Sequence, residues 1–353
     1  WVADMDFATA PFVTDAIRKR CENEVLGYTG KPDSYYNAII NWVKQRYDLI
    51  VTKEVINFVP GIVPGIGMAM NCFTQKGDKV MIQPPVYHPF AWVTTRNERT
   101  LVINPLRWEN GMYRMDLDAF REQIKGCKLF ILCNPHNPGG VVWTEAELRA
   151  IADICYDEKV LVFSDEIHAD LTLPPHTHRP FATVSEKARM NSVTFMSPSK
   201  AFNMPGLSAS HALIFNEDLR KRFRIYMDAG ELDMGHVFAF LSVEAAYSHG
   251  TEWLDQCLAY IQGNIDFVDE FLKKHAPKIK AIRPEASYLV WLDCRELELS
   301  QKDLNEFFVD KAHLALNDGE MFGKEGIGFM RLNVASPRCI IEKAMKQLAD
   351  AYQ

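Results

Sequence analysis

Four short runs of β-branched and apolar residues each end in a side chain that could bind or transform a ligand. In chain order these side chains are Tyr87 after residues 79–83, Asn137 after 128–133, Asp165 after 159–164 and Lys200 after 192–196. In a doubly wound sheet the ligand lies beyond the carboxyl ends of the strands. We therefore expect an aromatic ring, an amide, a carboxyl and an amine to face one crevice.

A glycine-rich stretch, Gly61 to Gly67, opens a helical pattern. The amides at a helix N-terminus bind phosphate, but the stretch lacks the sequence of a nucleotide-binding P-loop. Taken singly, the four side chains are equally typical of a loop aromatic, a turn, a helix cap and a solvated lysine. Together they match a cofactor that needs a phosphate cradle, a stacking ring, a carboxylate for a ring nitrogen and a Schiff-base lysine, which is pyridoxal phosphate (PLP).

The elements that must position these groups alternate between strands and helices. One of the helices is predicted at residues 144–157, where Thr144 and Glu147 form a capping box. Strand, helix, strand at this spacing predicts an α/β fold with a mostly parallel sheet between helices. A helical region from Glu217 and two short strands at 287–292 and 328–334 predict a smaller α+β domain. We assign 26–255 to the large cofactor-binding domain, and 1–25 with 256–353 to the small domain.

Composition narrows the class of protein. The 353 residues are 48% hydrophobic and 24% charged with a net charge of −7, which excludes intrinsic disorder and gives no basic surface for nucleic acid. No apolar stretch reaches the roughly 18 residues of a membrane span. The eight cysteines form no C-x-x-C pair, which favours free thiols in a reducing, cytoplasmic compartment and disfavours a metal site. The chain opens on Trp1 without an initiator methionine, so we expect that the true start is missing, and no signal peptide is visible.

Several motifs resemble those of one enzyme superfamily. They are Asn137-Pro138-Gly139-Gly140, Ser164-Asp165-Glu166, Ser197-Pro198-Ser199-Lys200 and Met330-Arg331-Leu332-Asn333. In this order and spacing they resemble the fold-type I aminotransferases of class I and II. The stretches at 1–7, 27–28, 164–170, 199–203 and 316–319 further resemble the MalY/PatB-type carbon–sulfur β-lyases.

The resemblance implies a role for each matching residue. Lys200 would form the Schiff base with PLP and remove the substrate Cα proton, Asp165 would pair with the protonated pyridine nitrogen, and Arg331 would bind the substrate carboxylate. The other implied cofactor contacts are Asn137 at the ring hydroxyl, Tyr87 stacked on the ring, His168 beside it, and Ile62, Val63 and Ser197 at the phosphate. Tyr28 would reach the phosphate from a neighbouring subunit, which implies a homodimer with shared active sites.

Two positions depart from the aminotransferase pattern and fit the lyase subgroup better. His168 stands where many transaminases have a tyrosine, and residues 201–210 lack the usual phosphate-binding arginine. Helix dipoles and hydroxyls, or a basic residue not identified from the sequence, would then balance the phosphate charge.

The preferred hypothesis is β-elimination from an amino-acid substrate. The products from cystathionine or a related cysteine S-conjugate would be a thiol, pyruvate and ammonia. One alternative is an aminotransferase, which needs the same residues. A second is a regulatory protein that binds a macromolecule and has secondary lyase activity.

Overall fold

The computed structural model describes residues 2–352, so Trp1, the first residue of the N-terminal motif, lies outside the described residues. Within this range the strands form a seven-stranded sheet, a four-stranded sheet and a two-stranded hairpin. The strands are β1 (Ile56–Val59), β2 (Lys79–Ile82), β3 (Thr100–Ile103), β4 (Arg107–Glu109), β5 (Met112–Arg114), β6 (Cys127–Cys133), β7 (Leu161–Asp165), β8 (Ser192–Met196), β9 (Ser210–Leu213), β10 (Lys280–Ile282), β11 (Leu289–Asp293), β12 (Asn317–Asp318) and β13 (Phe329–Asn333).

The seven-stranded sheet has the order β1-β9-β8-β7-β6-β2-β3. The pairs from β8 through β7, β6 and β2 to β3 are parallel, whereas β9 is antiparallel to both β8 and β1. No α-helix separates β8 from β9, so this connection lacks the usual crossover element of a parallel pair. The predicted mostly parallel α/β sheet is confirmed, with an antiparallel edge added.

Helices cover the sheets and connect their strands. The α-helices are α1 (Pro11–Cys21), α2 (Asp33–Tyr47), α3 (Ile62–Phe73), α4 (Pro89–Arg96), α5 (Leu117–Gln123), α6 (Glu145–Asp157), α7 (Glu186–Met190), α8 (Glu217–Asp228), α9 (Val237–His249), α10 (Thr251–His275), α11 (Gln301–Glu306) and α12 (Arg338–Tyr352). The predicted capping box is confirmed, because Thr144 and Glu147 bond reciprocally at the start of α6.

The smaller sheet is antiparallel, with the order β10-β11-β13-β12. Both predicted strands of this region are confirmed as β11 and β13. Arg331 lies in the middle of β13, in register with Trp291 on β11 and Asn317 on β12. Only 4% of Arg331 is exposed, and Phe329, Met330 and Leu332 on the same strand are buried as well.

Residues 2–352 contain neither a membrane-spanning helix nor a metal-binding cluster of side chains. No helix in this range combines the length and the apolar character needed to cross a membrane. The same residues contain no cluster of three or more His, Cys, Asp or Glu side chains that could hold a metal ion.

Candidate active site

The carboxyl ends of four adjacent strands, β2, β6, β7 and β8, meet at one cavity. Its volume is about 440 Å³, within the roughly 300–1,000 Å³ of typical small-molecule sites. Eight residues singled out from the sequence line it: Ile62, Val63, Tyr87, Asn137, Asp165, His168, Lys200 and Arg331. Because the four strands are neighbours in the sheet, the residues at their carboxyl ends come together here, although they span 113 positions of sequence, from Tyr87 to Lys200.

Lys200 lies in the turn that follows β8. Its Nζ donates to the carbonyl oxygen of Ala3 at 2.6 Å and lies 3.2 Å from Oδ1 of Asp4. Burial lowers the pKa of the Lys200 amine; Asp4 opposes this shift, and Arg331 adds to it. A lowered pKa increases the fraction of neutral amine, which is the form that acts as nucleophile or base.

Asp165 is the last residue of β7 and only 3% exposed. Its Oδ1 accepts the backbone N–H of Ile167 at 3.1 Å. Burial raises the pKa of the Asp165 carboxyl to about 7, with a further increase from the neighbouring Glu166. A cation in the cavity, such as a protonated pyridine nitrogen, would favour the carboxylate form and lower this pKa.

The N-terminus of α3 forms the phosphate-binding candidate. Gly61 caps it with φ of 139°, a conformation that favours glycine. The amides of Ile62 and Val63 are among the first of the helix, which have no partner within it, and both residues line the cavity. Ser199, Ser208 and Ser210 line the same cavity and add hydroxyl groups.

Arg331 is held by two amide oxygens. Nη1 donates to Oδ1 of Asn137 at 3.0 Å, and Nη2 donates to Oδ1 of Asn317 at 2.6 Å. The guanidinium also lies over the Phe322 ring, 4.8 Å from its centroid. Burial lowers the pKa of Arg331 to about 10, so it stays charged at neutral pH. Since Arg331 occupies Oδ1 of Asn137, the amide NH₂ of Asn137 is the group that remains for a ligand.

Two rings line the cavity in their neutral forms. Burial raises the pKa of the Tyr87 phenol to about 12, and the nearby Asp165 adds to the increase. Burial lowers the pKa of His168 to about 3, with further lowering by Lys200 and Arg331. The buried Nδ1 of His168 has no hydrogen-bond partner among the described residues. Buried polar atoms are normally satisfied, so this nitrogen fits a site that receives a ligand.

Two further residues singled out from the sequence do not line this cavity. The Ser197 hydroxyl lies 2.7 Å from the carbonyl oxygen of Ala209, to which it donates, and 2.9 Å from the hydroxyl of Ser199. Tyr28 lies in the loop between α1 and α2, is 97% exposed, and lines a separate surface cleft with Met234. Within one chain, therefore, Tyr28 does not reach the cavity.

Sequence reasoning gave no role to three residues that shape the cavity. Asn317 holds Arg331, and Ala3 and Asp4 contact Lys200. All three lie in motifs that carry the resemblance, at 316–319 and 1–7. The motifs marked these segments, but only the fold shows which side chains they meet.

Comparisons with known proteins agree with this geometry. The model of the family "Aminotransferase class I and II" matches residues 2–348. The chain is 38% identical over 353 residues to cystathionine beta-lyase PatB of Bacillus subtilis (strain 168), covering 99% of this chain and 91% of PatB. A PLP-bound protein from Clostridium difficile 630 has 41% identity and a TM-score of 0.98, over 100% of this chain and 92% of its own. Cystalysin from Treponema denticola, solved with pyridoxal 5'-phosphate, has 35% identity and a TM-score of 0.96, over 99% of this chain and 89% of its own.

Proposed function

Because the chain belongs to the class I and II aminotransferase family, we propose that it is a PLP-dependent carbon–sulfur β-lyase. It cleaves cystathionine or related cysteine S-conjugates to a thiol, pyruvate and ammonia. The name of PatB, 38% identical over nearly the whole chain, supports this assignment. So does the likeness to a 34% identical solved structure, that of a PLP-bound C-S lyase from Staphylococcus hominis.

The cavity fits the cofactor in three independent ways. A buried carboxyl with a raised pKa, Asp165, suits a cationic ring nitrogen. The glycine-capped N-terminus of α3 suits a phosphate. The unpartnered Nδ1 of His168 suits a polar group of the ligand. When bound, PLP supplies an electron sink for the electrons of the broken Cα–H bond.

The residues of the chain perform the remaining tasks. Arg331 binds the substrate carboxylate with two parallel donors, a geometry that lysine cannot offer. Nζ of Lys200, the amine with the lowered pKa, receives the Cα proton. Asp165 would hold the ring-nitrogen proton, Asn137 would donate its NH₂ to the ring hydroxyl, and Tyr87 would pack against the ring face. The amides of Ile62 and Val63 would hold the phosphate, with Ser197 acting through its contact with Ser199.

One observation carries the proposal: the Lys200 amine and the Arg331 guanidinium line the same 440 Å³ cavity, which also contains the Asp165 carboxyl. An amino acid whose carboxylate binds Arg331 is thereby placed beside the base that must take its Cα proton. Holding reactant and base together in this way supplies much of the catalytic advantage.

The lyase and aminotransferase reactions use the same residues, so the products distinguish them. Purified protein incubated with cystathionine should release pyruvate and homocysteine without any keto-acid acceptor. Cysteine S-conjugates with different substituents would then rank the substrates. Amino transfer that depends on an added keto acid, with no pyruvate from cystathionine alone, would instead identify an aminotransferase.

We also propose that two copies of the chain form a homodimer with shared active sites. The loop between α1 and α2 exposes Val25, Leu26 and Tyr28 by 72%, 62% and 97%, beside Met234 at 40%. Apolar side chains concentrated in this way favour a protein contact. Among the described lining residues of the cavity, Lys200 and Arg331 are the only lysine or arginine. A tyrosine hydroxyl from a second copy would add a phosphate donor.

A cytoplasmic location is proposed on the basis of the cysteines. The eight cysteines are free thiols, and five of them are buried. Free buried thiols are typical of a reducing compartment.

A further inference from the structure

The N-terminal segment, residues 2–7, passes beside the Lys200 amine. We propose that Asp4 is a positioning residue: its carboxylate, together with the Ala3 carbonyl, holds the ε-ammonium of Lys200 whenever that amine is not bonded to a cofactor. The two contacts are 3.2 Å to Oδ1 of Asp4 and 2.6 Å to the Ala3 oxygen. An ammonium group needs acceptors when it is buried, and these two provide them.

The segment is fastened on both sides of Asp4. Asn333 donates to the Asp4 carbonyl oxygen at 2.6 Å, and Met5 N–H donates to Oδ1 of Asn203 at 3.0 Å. The Tyr288 hydroxyl donates to the Ala3 carbonyl oxygen at 2.8 Å. Asp4 is therefore held in place by the backbone and its neighbours, independently of its own carboxylate.

The two asparagines link this segment to the functional residues. Asn203 lies three positions after Lys200, and Asn333 lies two positions after Arg331 on β13. The segment that carries Lys200 and the strand that carries Arg331 thus both fix the position of Asp4. This arrangement keeps one carboxylate next to Lys200 while leaving the cavity open to a ligand.

Other charged groups around Lys200 raise or lower the pKa of its amine. Asp165 at the end of β7 favours the ammonium, whereas Arg331 on β13 disfavours it. His168 is neutral at physiological pH because burial lowers its pKa to about 3. Of the two carboxylates, Asp4 is the one in direct contact, and its side chain is 45% exposed, so solvent weakens the attraction.

After a proton moves from the substrate to Lys200, the amine is an ammonium, and these acceptors would hold it. This role during catalysis rests on the proposed function. The contact itself does not, since it concerns the free amine of Lys200 and can be measured without any substrate.

The test is the pH dependence of Lys200 acetylation by acetic anhydride in the protein freed of cofactor, read out by peptide mapping. Asp4→Asn keeps the shape and removes the charge. In this variant the pH midpoint of Lys200 labelling should fall by roughly 0.3–1 pH unit. At a fixed pH below the midpoint, Lys200 should then be labelled about two- to tenfold faster. The other lysines in the same digest report whether the fold is intact.

Asp6→Asn is the matched control on the same segment. Its carboxylate accepts from the Ser336 hydroxyl at 2.6 Å and does not contact Lys200, so the midpoint should stay at the wild-type value. An unchanged midpoint in Asp4→Asn, or an equal shift in Asp6→Asn, would overturn the proposal. A chain that lacks lyase activity but shows the shift would contradict only the proposed function.

Discussion

Arg331 and Asn137 lie 194 residues apart in sequence and meet in the cavity, where Nη1 donates to Oδ1 at 3.0 Å. Arg331 comes from the smaller sheet, and Asn137 follows β6 of the larger one. With Asn317 on Nη2, the guanidinium is held on two sides before a substrate arrives. Such preorganisation lowers the entropy lost on binding.

Asn317→Ala removes one of these two supports. A hydrogen bond to a charged group contributes about 1.5–3 kcal/mol, so kcat/KM should fall roughly ten- to a hundredfold, mainly through KM. Steady-state kinetics with a cysteine S-conjugate measure this. Asn305→Ala is the control, because Asn305 donates to Asp318 at 2.6 Å and does not contact Arg331. Equal losses in both variants would show that Asn317 only supports the local fold.

Asp165→Asn keeps the side-chain shape but removes the negative charge of the carboxylate, which would hold the proton on the ring nitrogen of the cofactor. We expect kcat to fall by several orders of magnitude, since the interaction strengthens as the Cα–H bond breaks. Rapid-quench or steady-state assays at saturating cofactor would show the loss. Retention of most activity would mean that the ring nitrogen is not used as an electron sink.

The same substitution should stabilise the cofactor-free chain. Burial raises the pKa of Asp165 from 3.8 to about 7, so the folded state disfavours the carboxylate. Wild-type stability is therefore lost as pH rises from about 4 to 7 and levels off above that. At roughly 1.4 kcal/mol per pH unit, the advantage of Asp165→Asn should reach several kcal/mol near neutral pH.

Urea unfolding at several pH values between about 5 and 8 measures this advantage. The exposed Asp118, whose side chain is 98% accessible, provides the control substitution Asp118→Asn, which should change stability little. An advantage of Asp165→Asn that is independent of pH, or absent at pH 8, would contradict the buried-carboxyl account.

Tyr28 tests the shared active site. Tyr28→Phe should weaken cofactor binding by roughly ten- to a hundredfold, since one hydrogen bond to a charged group is lost at about 1.5–3 kcal/mol. Heterodimers of Tyr28→Phe with Lys200→Ala should contain one site with both defects and one site with neither. Near-native cofactor affinity and activity at that one site would support sharing. A Lys200-bearing site as weak as in the Tyr28→Phe homodimer would place Tyr28 in its own subunit's site.

Much of the fold could be predicted because the parallel strands carry strong local signals. Strand β8 begins and ends where the sequence analysis put it, at Ser192–Met196, and β6 begins one residue before the predicted run 128–133. Strand β1 was not predicted, because its four residues pair only with β9, 151 positions or more along the chain. Strands β10 and β12 have three and two residues, too few for a periodic pattern.

The candidate site was predictable where function and strand ends coincide. Lys200, Asn137 and Tyr87 each follow a strand, Asp165 is the last residue of one, and all four line the cavity. Contacts between distant segments, such as Asp4 with Lys200, leave no local pattern in the sequence. Ser197 illustrates the same limit, since its position after β8 matches the motif but its hydroxyl donates to the Ala209 carbonyl.

Lys200 should carry the cofactor in this cavity, and borohydride reduction of the cofactor-loaded protein tests this assignment. Reduction makes the lysine–cofactor link permanent, and peptide mapping then locates it. We expect a yellow protein whose label lies on Lys200, and a Lys200→Ala variant that still binds PLP but takes up no label and has almost no turnover. A label on any other lysine, or an unchanged turnover in Lys200→Ala, would contradict it.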